Sequence, residues 1–456
     1  MNDLQLSRAC SSANQPAATL AGWCAAALLL LAPAAQAQSL LQLLDQAKAA
    51  DTAYLSAKAQ ADANLFRAEQ ARAGLGPTAN LAAAASQSYL AISPSTGPNT
   101  DRGFGTQQLT LSGTYPLYRP ANQVTFDQGQ KLLEQSEAQL NAVQQDLMVR
   151  ISQAYFDVLA ANDSLKFVVA QKAAVAEQLA AAKRNFEVGT STITDSREAQ
   201  ARFDLVTAQQ IAAENDLVVK RLGLDQIVGK KGTEPKPVAL PLLLPPLVPA
   251  DVDQWVQRSE ANHPTLKQLQ TTLDVAVLET AKARAGEKPT VDLVANYGMT
   301  RNDGSATTPI GSWVNSGSVG VQMTMSLYNG NSVQNRIKET LALEEKARND
   351  IESAKRTLAQ NVRVAYFGVL SGQGQVKALE AAEASSQSAL DANQLGYKVG
   401  VRINIDVLNA QSQLFQTKRD LAKARYDVLV GGLRLRQASG ALMDGDLSIV
   451  NNLLSR

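Results

Sequence analysis

The chain has 456 residues, with 43 basic side chains, 42 acidic ones, one histidine and two cysteines. A charge balance so near zero leaves no electrostatic footprint for a nucleic-acid partner. His263 stands alone, and Cys10 and Cys24 both fall in the leading segment, so a disulfide framework, a thiolate centre and a multi-histidine metal site have no residues to use.

Residues 1–37 read as a secretory signal peptide. Arg8 supplies the positive charge, Ala25 to Ala32 the apolar core, and Ala35-Gln36-Ala37 the small-x-small cleavage pattern, leaving Gln38 first. The apolar run is too short for a membrane anchor. Lipidation at Cys24 does not fit, since bulky Trp23 precedes it and the apolar core follows it. Both cysteines leave with the peptide.

The first repeat, 38–230, opens with a helix from Leu40 to Ala73, stopped by Gly74, Gly76 and Pro77. A hairpin over 78–118 follows, with strands near Leu81–Leu90 and Gln108–Tyr118. A very long helix then runs from Pro120, suited to a first helical turn, to Val188, where Gly189 breaks it. Another helix spans Thr194–Val228. Six prolines between Lys231 and Ala250 exclude regular helix and make 231–250 a linker.

The second repeat, 251–440, restates the order: a helix to Gly286, a hairpin over 289–328 with strands near Val291–Thr300 and Gly317–Tyr328, then helices Ser332–Val399 and Ile405–Ser439. A terminal segment, 441–456, closes the chain. The duplication shows residue by residue. Ala154-Tyr155-Phe156-Asp157-Val158-Leu159 returns as Ala365-Tyr366-Phe367-Gly368-Val369-Leu370, Phe186-Glu187-Val188-Gly189 as Tyr397-Lys398-Val399-Gly400, and Asp195 as Asp406, each 211 positions on. Ala71-Arg72-Ala73-Gly74 and Leu117-Tyr118 recur as Ala283-Arg284-Ala285-Gly286 and Leu327-Tyr328. Alanine-rich helices alone would not hold register through such landmarks.

The strands alternate. Val319, Val321, Met323 and Met325 interleave with small or polar residues, as do Val291, Leu293, Ala295, Tyr297 and Met299, and Leu109, Leu111, Tyr115 and Leu117. One greasy and one wet face over about ten residues is the lipid-out, water-in pattern of an outer-membrane strand. Tyr89, Tyr118 and Tyr328 near strand ends, with Trp313 in a loop, suit an interfacial aromatic girdle. An ordinary half-buried sheet in a soluble domain is the competing reading. Four strands close no barrel, and an open edge cannot face hydrocarbon, so membrane strands here require several chains to share one barrel.

From Leu147 a four-three walk lands on Ile151, Ala154, Val158, Ala161, Leu165, Val168, Lys172, Val175, Leu179, Ala182 and Phe186, with only Lys172 polar. That repeat predicts left-handed coiled-coil packing. At about 1.5 Å per residue the helix would reach roughly 100 Å, several times the bilayer.

With these marks together, the chain resembles the TolC family of outer-membrane efflux and type I secretion ducts across essentially its whole mature length. The resemblance implies an α+β membrane fold: a homotrimer whose shared twelve-stranded β-barrel, four strands per protomer, continues into a long α-helical coiled-coil barrel with an equatorial belt and an iris-like periplasmic tip. It implies partners as well: sister copies, outer-membrane lipid, a periplasmic adaptor (membrane fusion) protein, and an inner-membrane ABC or proton-driven transporter. It implies no cofactor and no catalysis. The turns Val188-Gly189-Thr190 and Val399-Gly400-Val401 fall at the tip, as adaptor-docking sites. Thr194, Asp195, Tyr397 and Arg402 match the family's gate latch. Asp406 matches one of two acidic pore-constriction positions; the other is Asn409 here, a departure that leaves one carboxylate per chain for the ring.

Enzyme motifs find no support. Gly223 with Gly229-Lys230-Lys231 has the wrong spacing for a phosphate loop, lacks the following Ser or Thr, and ends a helix. His263 fits a surface or packing role. The alternatives to a secretion and multidrug duct are the duct of a dedicated proton-driven drug or metal pump, or a soluble coiled-coil adaptor.

Overall fold

A computed structural model describes residues 38–93, 95–239, 241–304, 308 and 310–455. The signal-peptide reading lies outside them.

The helices and strands follow one order twice. The first copy holds α1 (Leu40–Ala50), α2 (Thr52–Ala73), β1 (Thr78–Ile92), β2 (Thr100–Tyr118), α3 (Pro120–Glu187) and α4 (Ile193–Val228). The second holds α5 (Val252–Asn262), α6 (Pro264–Ala285), β3 (Thr290–Asn302), β4 (Ser312–Thr324), α7 (Ser332–Lys398) and α8 (Asn404–Ala438), and α9 (Asp444–Asn451) ends the chain. The long helices match closely: 68 residues in α3 and 67 in α7, 36 in α4 and 35 in α8.

Three sequence expectations are corrected. The opening helix of each copy is two helices. Asp51 is extended and its carboxylate accepts the Tyr54 N–H at 2.8 Å, which ends α1 and caps α2. His263 is extended because Pro264 follows it, and His263 Nδ1 caps α6 by accepting the Thr265 N–H at 3.2 Å. Trp313 is a strand residue paired with Arg301, whose guanidinium lies 5.5 Å from the indole centroid. β4 ends at Thr324, opposite the first residue of β3, so Leu327 and Tyr328 lie beyond the strand.

The heptad seam packs as its period requires. Leu147, Ile151, Val158, Ala161, Val168, Val175, Leu179 and Ala182 are buried, while Phe186 at the tip is exposed. Lys172 Nζ donates to Gln210 Oε1 of α4 at 2.9 Å and lies 5.5 Å from the Phe203 ring, so the one polar break is satisfied.

Halfway along the long helices sits the largest core. Leu40, Leu43 and Leu44 of α1, Leu147, Ile151, Tyr155 and Phe156 of α3, Leu429 and Leu433 of α8 and Leu447 of α9 pack into it. The Tyr155 hydroxyl donates to Lys236 O at 2.8 Å, and Tyr366, its counterpart, donates to Ala250 O. Each copy thereby ties its long helix to the proline-rich linker. Asp225 holds the linker's start by accepting the N–H groups of Gly232 and Thr233 at 2.9 and 3.0 Å.

Candidate functional site

Two regions carry the residues that the sequence singles out: the sheet at one end of the long helices and the turns at the other.

The four strands form one antiparallel sheet in the order β1-β2-β3-β4. Its register stacks like residues. Leu111 faces Leu81 on one side and Tyr297 on the other; Leu109 faces Met299, Tyr115 faces Leu293, and Leu293 faces Val321. Gln108, Ser112, Asn296 and Ser318 fall on the opposite face, where Ser112 pairs with Asn80 and Asn296. One face is therefore apolar from strand to strand and the other polar. Within a single chain the apolar face is uncovered: Leu81, Leu111, Val319, Val321 and Met323 are all at least half exposed. An apolar patch of this extent marks contact with another apolar phase. Among the described residues the outer edges, β1 and β4, have no further strand beside them. Tyr89 and Tyr118 lie on β1 and β2, Trp313 on β4 and Tyr328 just past it, all exposed. Where sheet meets helix, Arg119 grips Asp292 through two contacts of 2.7 Å and locks the first hairpin to the second.

Among the described residues no helix is long and apolar enough to cross a membrane. The sheet is the part shaped for lipid.

At the far end both turns share one construction. Gly189 and Gly400 have φ of 80° and 79°, a left-handed conformation that costs glycine nothing. Thr190 N–H bonds to Asn185 O at 2.8 Å and Gly189 N–H to Phe186 O at 3.0 Å. In the second copy Val401 N–H bonds to Gly396 O at 2.9 Å and Gly400 N–H to Tyr397 O at 3.1 Å. These are two Schellman closures. They leave Val188, Val399 and Val401 projecting into solvent at the tips.

Beyond the turns the copies diverge. Asp195 serves a capping box: its carboxylate accepts from the Thr192 N–H and hydroxyl at 3.1 and 2.9 Å and from the Ser191 hydroxyl at 3.1 Å. Thr194 follows in the first turn of α4. Asp406, the matching residue, instead lies 3.7 Å from the Arg402 guanidinium. Gly396 makes room for the Arg402 stem, since a β-carbon there would fall 2.7 Å from Arg402 Cγ. Tyr397 bridges α7 to α3, its hydroxyl accepting from Asn185 Nδ2 at 3.3 Å. Within one chain, then, Asp195 meets neither Tyr397 nor Arg402.

Asn409, one turn beyond Asp406, accepts from Arg202 Nη2 of α4 at 2.6 Å. Sequence reading missed Arg202, because the alignment of α4 against α8 is set by packing and leaves no local mark. It also missed Asn404. That residue is 2% exposed, and neither its amide nitrogen nor its oxygen has a hydrogen-bond partner. Its repeat counterpart, 211 positions earlier, is Ile193, a signal that was legible.

Asp51 and His263, in the mid-length region, are both held below their ordinary titration. Burial alone would raise the Asp51 carboxyl, but the Arg150 guanidinium and the Tyr54 N–H outweigh it and hold the group below its ordinary value. Burial lowers His263.

The sequence profile described as outer membrane efflux protein matches residues 43–230 and 255–441, one segment in each copy. Outer membrane protein TolC of Vibrio cholerae is 33% identical over 93% of this chain and 96% of its own length. Alkaline protease secretion protein AprF of Pseudomonas aeruginosa is 30% identical, covering 77% of this chain and 73% of that one. Among solved structures, the outer membrane protein VceC of Vibrio cholerae superposes with a TM-score of 0.74 at 18% identity, over 88% of this chain and 96% of VceC, a likeness of fold.

Proposed function

The chain belongs to the outer membrane efflux protein family, and from this premise we propose that three copies form the passive exit duct of a tripartite export system. The barrel sits in the outer membrane, the helices enclose a tunnel in the periplasm, and an adaptor protein and an inner-membrane transporter open the tip and deliver the cargo. The observation that carries the reading is the four-stranded sheet with an apolar face and two free edges. Lipid accepts that face but not those edges, whose N–H and C=O groups need strands from sister chains. Three chains give twelve strands, an even number within the usual range.

The tip residues take their roles on the same premise. Because Asp195 and Arg402 have no contact within one chain, a latch of Thr194, Asp195, Tyr397 and Arg402 joins neighbouring chains. Val188, Gly189, Thr190, Val399, Gly400 and Val401 form the adaptor-docking knobs, and Asp406 with Asn409 lines the constriction. Likeness to a protein named for protease secretion supports type I secretion as one service of the duct, and the family description supports efflux as another.

The test is complementation. Expressed with an adaptor and pump in a cell lacking its own duct, the chain should restore export and appear in outer-membrane fractions as a heat-resistant trimer. A soluble periplasmic monomer that restores nothing would refute the proposal. For the latch, Arg402→Ser should raise the resting conductance of purified channels in a planar bilayer, and an unchanged conductance would remove it.

A further inference from the structure

Arg402, in the turn before α8, and Asp406 and Asn409, one helical turn apart on α8, form one stripe. Arg202 reaches this stripe from α4, and its 2.6 Å bond to Asn409 is the one side-chain hydrogen bond joining α4 to α8 among the described residues. The chemistry of that bond matters more than its length. A carboxylate at position 409 would cancel the guanidinium charge; an amide oxygen holds the guanidinium in place and cancels nothing. Glu198 and Asp204 share a helix with Arg202, but neither makes an ion pair with it, and Asp204 is engaged by Gln200 Nε2 at 3.0 Å. The carboxylate of Asp406, meanwhile, already faces Arg402 at 3.7 Å. Each chain thus brings one carboxylate and two guanidiniums to the stripe.

We infer that Arg202, positioned by Asn409, sets the charge selectivity of the constriction and turns it from a cation-attracting ring into one that favours anionic solutes. The inference rests on the proposed placement of Asp406 and Asn409 at the narrowest point. A narrow, low-dielectric passage focuses the field of the charges lining it, so one uncancelled charge per chain, repeated around the axis, controls which ions concentrate there.

The experiment is reversal-potential measurement on purified full-length channels in planar bilayers under a potassium chloride gradient. Arg202→Gln should shift the cation-to-anion permeability ratio towards cations by about two- to fivefold. Asn409→Asp, which leaves Arg202 in place but cancels it, should shift the ratio the same way, and Arg202→Lys should stay near wild type. Asp406→Asn should move it towards anions. If Asp406→Asn shifts the ratio while Arg202→Gln and Asn409→Asp do not, the constriction stands and the role of Arg202 is overturned. If no variant shifts it, the constriction itself is misplaced and the inference falls with it. All three positions are exposed or half-buried, and the trimer band on a gel verifies assembly for each variant.

Discussion

The two long hairpins, α3–α4 and α7–α8, trace nearly the same path with different interiors. Their turns agree within 1° in φ at Gly189 and Gly400. Their mid-helix tyrosines both stack edge-on against the next phenylalanine at 5.5 Å. Yet Phe156 is buried and lies 5.6 Å from Tyr426, whereas Phe367 points outward and is 55% exposed. Towards the tip, the α3–α4 side packs Val168, Val175, Leu179, Ala182, Ala199 and Val206 with Leu408 of α8. The α7–α8 side has only Leu390, Val407 and Leu414 buried together, and α8 also carries buried Asn404 and Gln411 with unpaired side-chain atoms. Duplication preserved the backbone plan, and each copy then spent its side chains differently: towards the tip α3–α4 buries the larger apolar set, while both pairs keep unpaired polar atoms, Gln171 and Gln209 on α3 and α4, Asn404 and Gln411 on α8.

The sharpest way to break this comparison is at the paired phenylalanines. Phe156→Ala should destabilise the subunit by about 3–5 kcal/mol, since it empties a buried aromatic site. Phe367→Ala should leave the fold of the single chain nearly unchanged and weaken assembly instead. Denaturant unfolding and trimer yield report the two effects separately, and equal losses of stability would contradict the asymmetry.

Asn404 tests the seam. A buried amide without partners costs about 1–3 kcal/mol, so Asn404→Leu should stabilise the protein by up to that amount and raise its melting temperature. Destabilisation would show that the amide is satisfied. At the turns the copies should behave alike: Gly189→Ala and Gly400→Ala each place a β-carbon at positive φ, at a cost of about 1–2 kcal/mol. Unequal losses, measured by thermal unfolding, would mean that the two closures are not equivalent.

The smallest effect concerns pH. His263 Nδ1 caps α6 only when unprotonated, and burial lowers its titration below the ordinary value near 6.5. A depressed histidine contributes stability that is complete above that ordinary value and lost as pH falls through it towards the folded value. Melting temperature should therefore decline modestly between pH 7 and pH 5, and His263→Asn, which caps without titrating, should flatten that slope. An unchanged slope would place the acid sensitivity elsewhere.

Much of this architecture is legible in the sequence. Periodicity marked the strands, because alternation has a period of two whatever covers the sheet. The landmarks Tyr155, Gly189 and Asp195 with their echoes exposed the duplication. What stayed hidden depends on how elements meet. The break at Asp51 comes from a carboxylate choosing a backbone N–H, in a stretch whose composition suits one continuous helix. Trp313 read as loop because Ser312 and Asn315 beside it carry no strand preference, and only pairing with β3 draws it in. Arg202 and Asn409 are 207 residues apart, and the packing of α4 beside α8 decides that they touch. Of the proposed tip, sequence supplied the turns, Asp406 and Arg402, but not Arg202, the cation held by Asn409.

The free edges of β1 and β4 make the shared barrel the centre of the whole account. Native mass spectrometry of the protein released from detergent measures its stoichiometry directly. Three chains per particle, with measurable conductance from the same sample in a bilayer, is the expected result. A one-chain particle that passes no ions would contradict it.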